Sequence, residues 1–305
     1  MRIFSKYLIV VVVLPVLVFG QAKVGTAVAQ FLEIPASAHG EGMAGARVGI
    51  TDDISSIYYN PGALAWQNRR QFVISHSMLY AGISHDFAAF TMPAMGGVVG
   101  VSAITLYTGE MEETTPYQPE GTGRTFSAGD LSLGVTYSKF LTDRFSVGVT
   151  AKYLGEYYAD VYAHGWAMDI GTIFKTAFKD IRLGMMLSNF GPDLKFISQS
   201  APLPMCFHFG AAGEIINTAP HRLTLDVEGS HPNDNLEKFR AGLEYAYNEM
   251  FFIRAGGKLQ YDSDLFTLGA GFKIPVGAAR FAVDYSFTYM RHLESVHRIS
   301  VGAEF

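Results

Sequence analysis

"FSVGVTAKY", residues 145–153, alternates without a break. Phe145, Val147, Val149, Ala151 and Tyr153 fall on one side, and Ser146, Gly148, Thr150 and Lys152 on the other. A period of two marks a strand with two unlike faces. A solvent-facing sheet surface usually carries many long charged side chains. Here the polar face is small, with a single charge, and suits a strand whose polar side lines a lumen and whose apolar side meets lipid.

The pattern recurs at 239–247 and at 281–289. Phe281, Val283, Tyr285, Phe287 and Tyr289 oppose Ala282, Asp284, Ser286 and Thr288. About fourteen such segments run from 71–80 to 296–305, each near the roughly ten residues a tilted membrane strand needs. The connections give a separate check. Tight links at 93–96, 141–143, 179–180, 217–220, 248–249 and 275–278 follow even strands. Longer ones at 108–125, 190–203, 230–236 and 290–295 follow odd strands, with one tight exception at 262–263. Short turns on one rim and long loops on the other predict an all-β, transmembrane, antiparallel β-barrel. Both termini are then expected on the periplasmic side of a bacterial outer membrane, because the strand count is even. Phe305 ends the last alternating segment and resembles the C-terminal signal read by barrel-assembly machinery.

Composition agrees. Of 305 residues only 17% are charged, where a soluble domain carries about 25%, and aromatics reach 13%. The formal charge of −5 argues against a nucleic-acid partner. Cys206 is the single cysteine, so no disulfide framework or cysteine zinc site is available, and it reads as a small apolar side chain. Arg2 and Lys6 precede an apolar run to Phe19, with small residues at Gly20 and Ala22, which predicts a signal peptide over 1–20.

Residues 21–70 do not alternate, and the barrel proper is expected over 71–305. Fourteen strands leave a hole unless something occupies it, so 21–70 is expected to be an N-terminal plug. Asp52 or Asp53 can cap a short helix over 54–59, or form a salt bridge within the plug. Pro61 disfavours helix at Asn60, and can itself open a second turn over 62–66 that contains Leu64. The Asn60-Pro61-Gly62 turn should rest on the inner wall. Arg240, Glu244 and Asp284 on the polar strand faces are the candidate lumen partners for its exposed backbone groups.

"FLEIPASAHGEGMAGARVGITDDISSIYYNPGALAW", residues 31–66, resembles the N-terminal signature of the PorV/PorQ family of outer-membrane proteins. "LSNFGPDLKF" (187–196) with "LP" (203–204), "FRAGLEY" (239–245), "IRAGGKL" (253–259) and "VDYSF…HRISVGAEF" (283–305) extend the likeness over nearly the whole chain. That family shares its barrel type with the FadL fatty-acid transporters, whose N-terminal hatch carries Asn-Pro-Ala. Asn60-Pro61 matches, and Gly62 replaces the alanine. The resemblance implies an accessory of type IX secretion or surface attachment, with translocon or attachment proteins and secreted cargo as partners alongside outer-membrane lipid. The alternative is a FadL-like channel for small hydrophobic molecules.

Catalytic, cofactor and metal sites are not expected. No histidine pair has H-E-x-x-H spacing, no G-x-S-x-G elbow occurs, and "GEGMAG" (40–45) lacks the Lys-Ser/Thr of a phosphate loop. "HPNDN" (231–235) reads as an ordinary polar loop, and His76 and His85 as residues flanking the first hairpin.

Overall fold

The computed structural model describes residues 24–305, so the expected leader at 1–20 lies outside the described residues. Fourteen antiparallel strands of 8 to 15 residues close into one barrel. They are β1 (Gln71–Met78), β2 (Ser84–Ala94), β3 (Gly97–Tyr107), β4 (Ala128–Thr142) and β5 (Phe145–Tyr158). Next come β6 (Val161–Lys175), β7 (Arg182–Phe190), β8 (Cys206–Thr218), β9 (His221–Pro232) and β10 (Lys238–Tyr247). The wall ends with β11 (Phe251–Leu259), β12 (Asp264–Val276), β13 (Ala279–Met290) and β14 (Val296–Glu304). Each strand pairs with its sequence neighbours, and β14 returns to β1 in register from Gln71↔Glu304 to Met78↔His297. Closure leaves no open sheet edge.

The alternation sorts the faces as expected. Outward positions such as Phe72, Val101, Val135, Ile253, Val283 and Val301 are exposed, while inward Ser75, Thr136, Thr150 and Ser300 are buried. An apolar belt of that extent has no place in water and suits lipid. Three outward tyrosines share hydrogen bonds with outward histidines: Tyr153 with His164 (2.9 Å), Tyr245 with His221 (2.6 Å) and Tyr285 with His297 (2.7 Å). They give the belt polar, aromatic borders.

One rim carries the links at 95–96, 143–144, 176–181, 219–220, 248–250 and 277–278; the other carries 108–127 and 191–205. Two loops on that second rim fold back as small hairpins, Met111–Glu112 on Thr125–Phe126 and Leu194–Phe196 on Gln199–Ala201. The tight exception is misplaced in the sequence reading. The link after β11 spans four residues, 260–263, and the two-residue turn is Ala159-Asp160 after β5, where Ala159 takes a positive φ of 52°.

The even count puts Gln71 and Glu304 on the short-turn rim. The chain upstream of β1 does not stay there. It rises through the lumen until the Val28 N–H donates to the Pro202 carbonyl (3.0 Å) in the 191–205 loop. For the described residues, then, the two ends of the chain lie at opposite mouths, because the plug runs the length of the axis before β1 begins.

Candidate functional site

The lumen and the segment within it form the site. At the long-loop mouth a short 3-10 turn, Gln30–Glu33, presents Phe31 and Leu32 to Leu154, Ala163, Leu194 and Leu203, forming an apolar lid. Gln30 Nε2 donates to Asp234 (2.8 Å), so the "HPNDN" loop staples this turn.

Helix α1 (Ala38–Gly42) follows, capped by Ser37, whose Oγ accepts from the Gly40 N–H (3.0 Å). The wall then meets plug backbone groups one by one. Ser300 Oγ accepts from Ala38 N (2.8 Å), Thr267 Oγ1 from Ala44 N (2.9 Å), Glu228 from both Arg47 N and Val48 N (3.1 Å each), and Asp226 from Gly49 N (3.2 Å). A buried backbone segment outside regular structure needs such partners.

These are not the lumen residues the sequence singled out. Arg240, Glu244 and Asp284 do point inward, but each engages a side chain: Arg240 binds Glu228, Glu244 meets His39 (2.9 Å), and Asp284 meets Arg254 (2.6 Å). The backbone groups of the plug are met instead by Ser, Thr, two other acids and Arg182, whose Nε donates to the Gly49 carbonyl (3.1 Å).

Together they build a buried relay. Arg47, fully buried, grips Asp52 (2.6 Å) and Asp53 (2.9 Å) through Nη2. Asp53 meets His39 Nδ1 (2.7 Å), His39 Nε2 meets Glu244, and Glu244 receives Arg254 Nε (2.7 Å) and Arg222 (3.0 Å). Burial and the neighbouring Arg254 and Arg47 act to lower the His39 pKa, yet the carboxylates around it, Asp53 and Asp52 together with the hydrogen-bonded Glu244, hold it at about 9. Burial would raise the carboxyls of Asp52 and Asp53; Arg47 and His39 instead keep both well below their usual range. His39, Asp52 and Glu244 offer ligand atoms within 4.8 Å of one another, but with Arg47, Arg222 and Arg254 around them the cluster is already neutralised as an ion-pair network. The regular part of α2 is Ser56–Tyr59, but the turn starts earlier, with Ser56 N on the Asp53 carbonyl, and Asp53 caps it by accepting from Ser55 N (3.0 Å).

Asn60-Pro61-Gly62 presses on β5 and β6. Asn60 Oδ1 accepts from Gly62 N (3.0 Å), and its Nδ2 donates to the carbonyls of Val48 (2.7 Å) and Thr172 (3.0 Å). Pro61 opens the 3-10 turn Pro61–Trp66, in which Leu64 is fully buried. The backbones approach so closely that a Cβ on Gly62 would lie 2.6 Å from the Gly171 carbonyl oxygen, and one on Gly148 would strike Pro61. Trp66 donates to Ser146 Oγ (2.9 Å) and closes this side of the short-turn rim.

Two spaces remain. A cavity of about 100 Å³ lies between plug and wall near the long-loop mouth, lined by Leu32, Tyr58, Lys152, Cys206, His208 and Lys238 among others. A wider one of about 430 Å³ opens beside His39, Asp52, Asp53, Arg254 and Asp284 at the short-turn rim. The relay stands between them. His39, Arg47 and Glu228 were missed from sequence, where nothing pairs residues some two hundred positions apart.

No family model and no curated protein sequence matches the chain. Among solved structures it is similar to the Ralstonia pickettii toluene transporter TbuX (TM-score 0.60, 12% identity, covering 88% of this chain and 97% of that one). The Pseudomonas putida toluene transporter TodX gives 0.60 and 11%, covering 88% and 96%. A Pseudomonas aeruginosa FadL homologue gives 0.58 and 10%, covering 88% and 98%. At such identities the likeness is one of architecture, and the architecture is a FadL-like barrel.

Proposed function

We propose that this chain is an outer-membrane channel for small hydrophobic molecules, closed in the conformation described here by its own N-terminal segment. One observation carries the reading: the lumen holds a chamber under an apolar lid and another at the opposite rim, separated by a plug whose seat on the wall combines an apolar cluster with a buried ion-pair relay. Breaking the charge contacts of the relay would loosen that side of the partition while the barrel stays closed. The hydrocarbon transporters named among the structural neighbours support the same class of cargo. The short-turn rim is assigned to the periplasm, as short turns are in such barrels. The test is uptake of a radiolabelled monoaromatic hydrocarbon into proteoliposomes. Uptake above that of empty liposomes, raised further in Asp53→Asn, supports a gated channel; uptake equal to empty liposomes in both forms overturns it.

The resemblance of residues 31–66 to PorV/PorQ supports a second reading, an accessory of type IX secretion. The 108–127 and 191–205 loops, with their small hairpins, would then be the docking elements. Recovery of translocon or cargo proteins with the native barrel, lost when the 108–127 hairpin is shortened, would favour it over the channel.

A further inference from the structure

Inward-facing carboxylates on the wall are met by cations: Asp169 by Lys152 (2.7 Å), Glu214 by Arg182 (2.8 Å), Asp264 by Lys258 (3.0 Å), and Glu228, Glu244 and Asp284 by the arginines above. Asp226 has no such bridge but accepts from the plug backbone. Asp130 of β4 and Glu156 of β5 break the pattern. They stand directly opposite one another in the β4–β5 ladder, at its long-loop end. Among the described residues neither has a cationic side chain within 4 Å, although opposed like charges on neighbouring strands repel.

Their surroundings sharpen the conflict. Next in register are Leu106 on β3 and Ala163 on β6, and the lid residues Ala29, Phe31 and Leu154 pack in the same apolar cluster. Glu156 is only 2% exposed, and its Oε2 is buried with no partner; Asp130 Oδ1 is likewise buried and unpartnered. Tyr158 stands beside Asp130, and the Ala29 backbone stands beside Glu156. Two bare charges cannot persist in so apolar a place without a counter-charge.

We propose that Asp130 and Glu156 hold a hard divalent cation of the calcium type at the long-loop mouth. Two carboxylates supply the charge and the oxygen atoms such an ion takes. Because the Ala29 backbone lies beside Glu156, the ion would pin the first turn of the plug to β4 and β5. This site stands apart from the relay at the other side of the plug and does not depend on what the barrel carries.

Terbium, a luminescent stand-in for calcium, tests it, since Tyr157, Tyr158 and Tyr162 lie close enough to sensitise the ion. The full chain in detergent, stripped with chelator, is titrated with terbium under tyrosine excitation. Saturable emission is expected, displaced by calcium, with at least a tenfold loss of affinity in Asp130→Asn and in Glu156→Gln. Glu113→Gln, in the exposed hairpin, should titrate as the parent does. Retention of the heat-dependent gel shift shows that each variant is folded. No saturable emission from the parent at neutral pH, the behaviour of a pair that shares a proton instead, overturns the proposal. So does an unchanged affinity in both folded variants.

Discussion

His39 joins a carboxylate of the plug to one of the wall, and its charge decides whether both contacts attract. With a pKa of about 9 against an ordinary 6.5, its contribution to seating the plug is complete below about pH 6.5 and is lost as pH rises through about 9. Single-channel conductance in planar bilayers should therefore rise between pH 7 and pH 10 in the parent, and His39→Gln should remove that dependence; a flat profile in the parent would dismiss the relay as a latch. Asn60 offers a second point of attack. Asn60→Ala strands the Val48 and Thr172 carbonyls and frees Gly62 N, a cost of about 1–3 kcal/mol confined to the plug. The variant should insert normally yet conduct more than the parent, and equal conductance would mean that the turn does not seal the lumen.

At the scale of the element, the strands were legible and the plug's interior was not. A period of two is a local signal, so "FSVGVTAKY" declares its faces without help from the rest of the chain. Asn60-Pro61-Gly62 was legible for the same reason: proline and its neighbours restrict their own backbone. The relay is different. His39 meets Glu244, and Arg47 N meets Glu228, through closure of the barrel, and a scattered charge carries no mark of its partner. The link after β5 escaped notice because Ala159 adopts its left-handed conformation without a glycine to announce it. The last strand was read from alternation and bears its own prediction. Phe305 N donates to the Arg70 carbonyl (2.9 Å), so the terminal residue extends the pairing of β14 beside β1. Deleting Phe305 should lower the fraction of protein that shows a heat-dependent shift in unheated detergent gels; an unchanged fraction would remove the C-terminus from assembly.

Across the whole molecule, the two rims face opposite compartments. With Cys206 replaced by serine, cysteine at Glu120, in the 108–127 loop, should react with an impermeant maleimide on intact cells. Cysteine at Glu249, where Arg222 now binds on the other rim (2.8 Å), should react only after lysis, and the reverse result would invert the barrel. The path of the plug has a further consequence, one of sequence in time. Only β1 and β14 are neighbours in the wall without being neighbours in the chain. The plug straddles that seam, continuous with β1 and bonded to β14 through Ala38 and Ser300. If it is in place when the seam zips, it is enclosed at once. If it arrives later, its leading end must be threaded the length of a finished tube to reach Pro202. Wrapping is the simpler route, and it makes the plug a mandrel: the contents come first, and the last strand finds the first by closing around them.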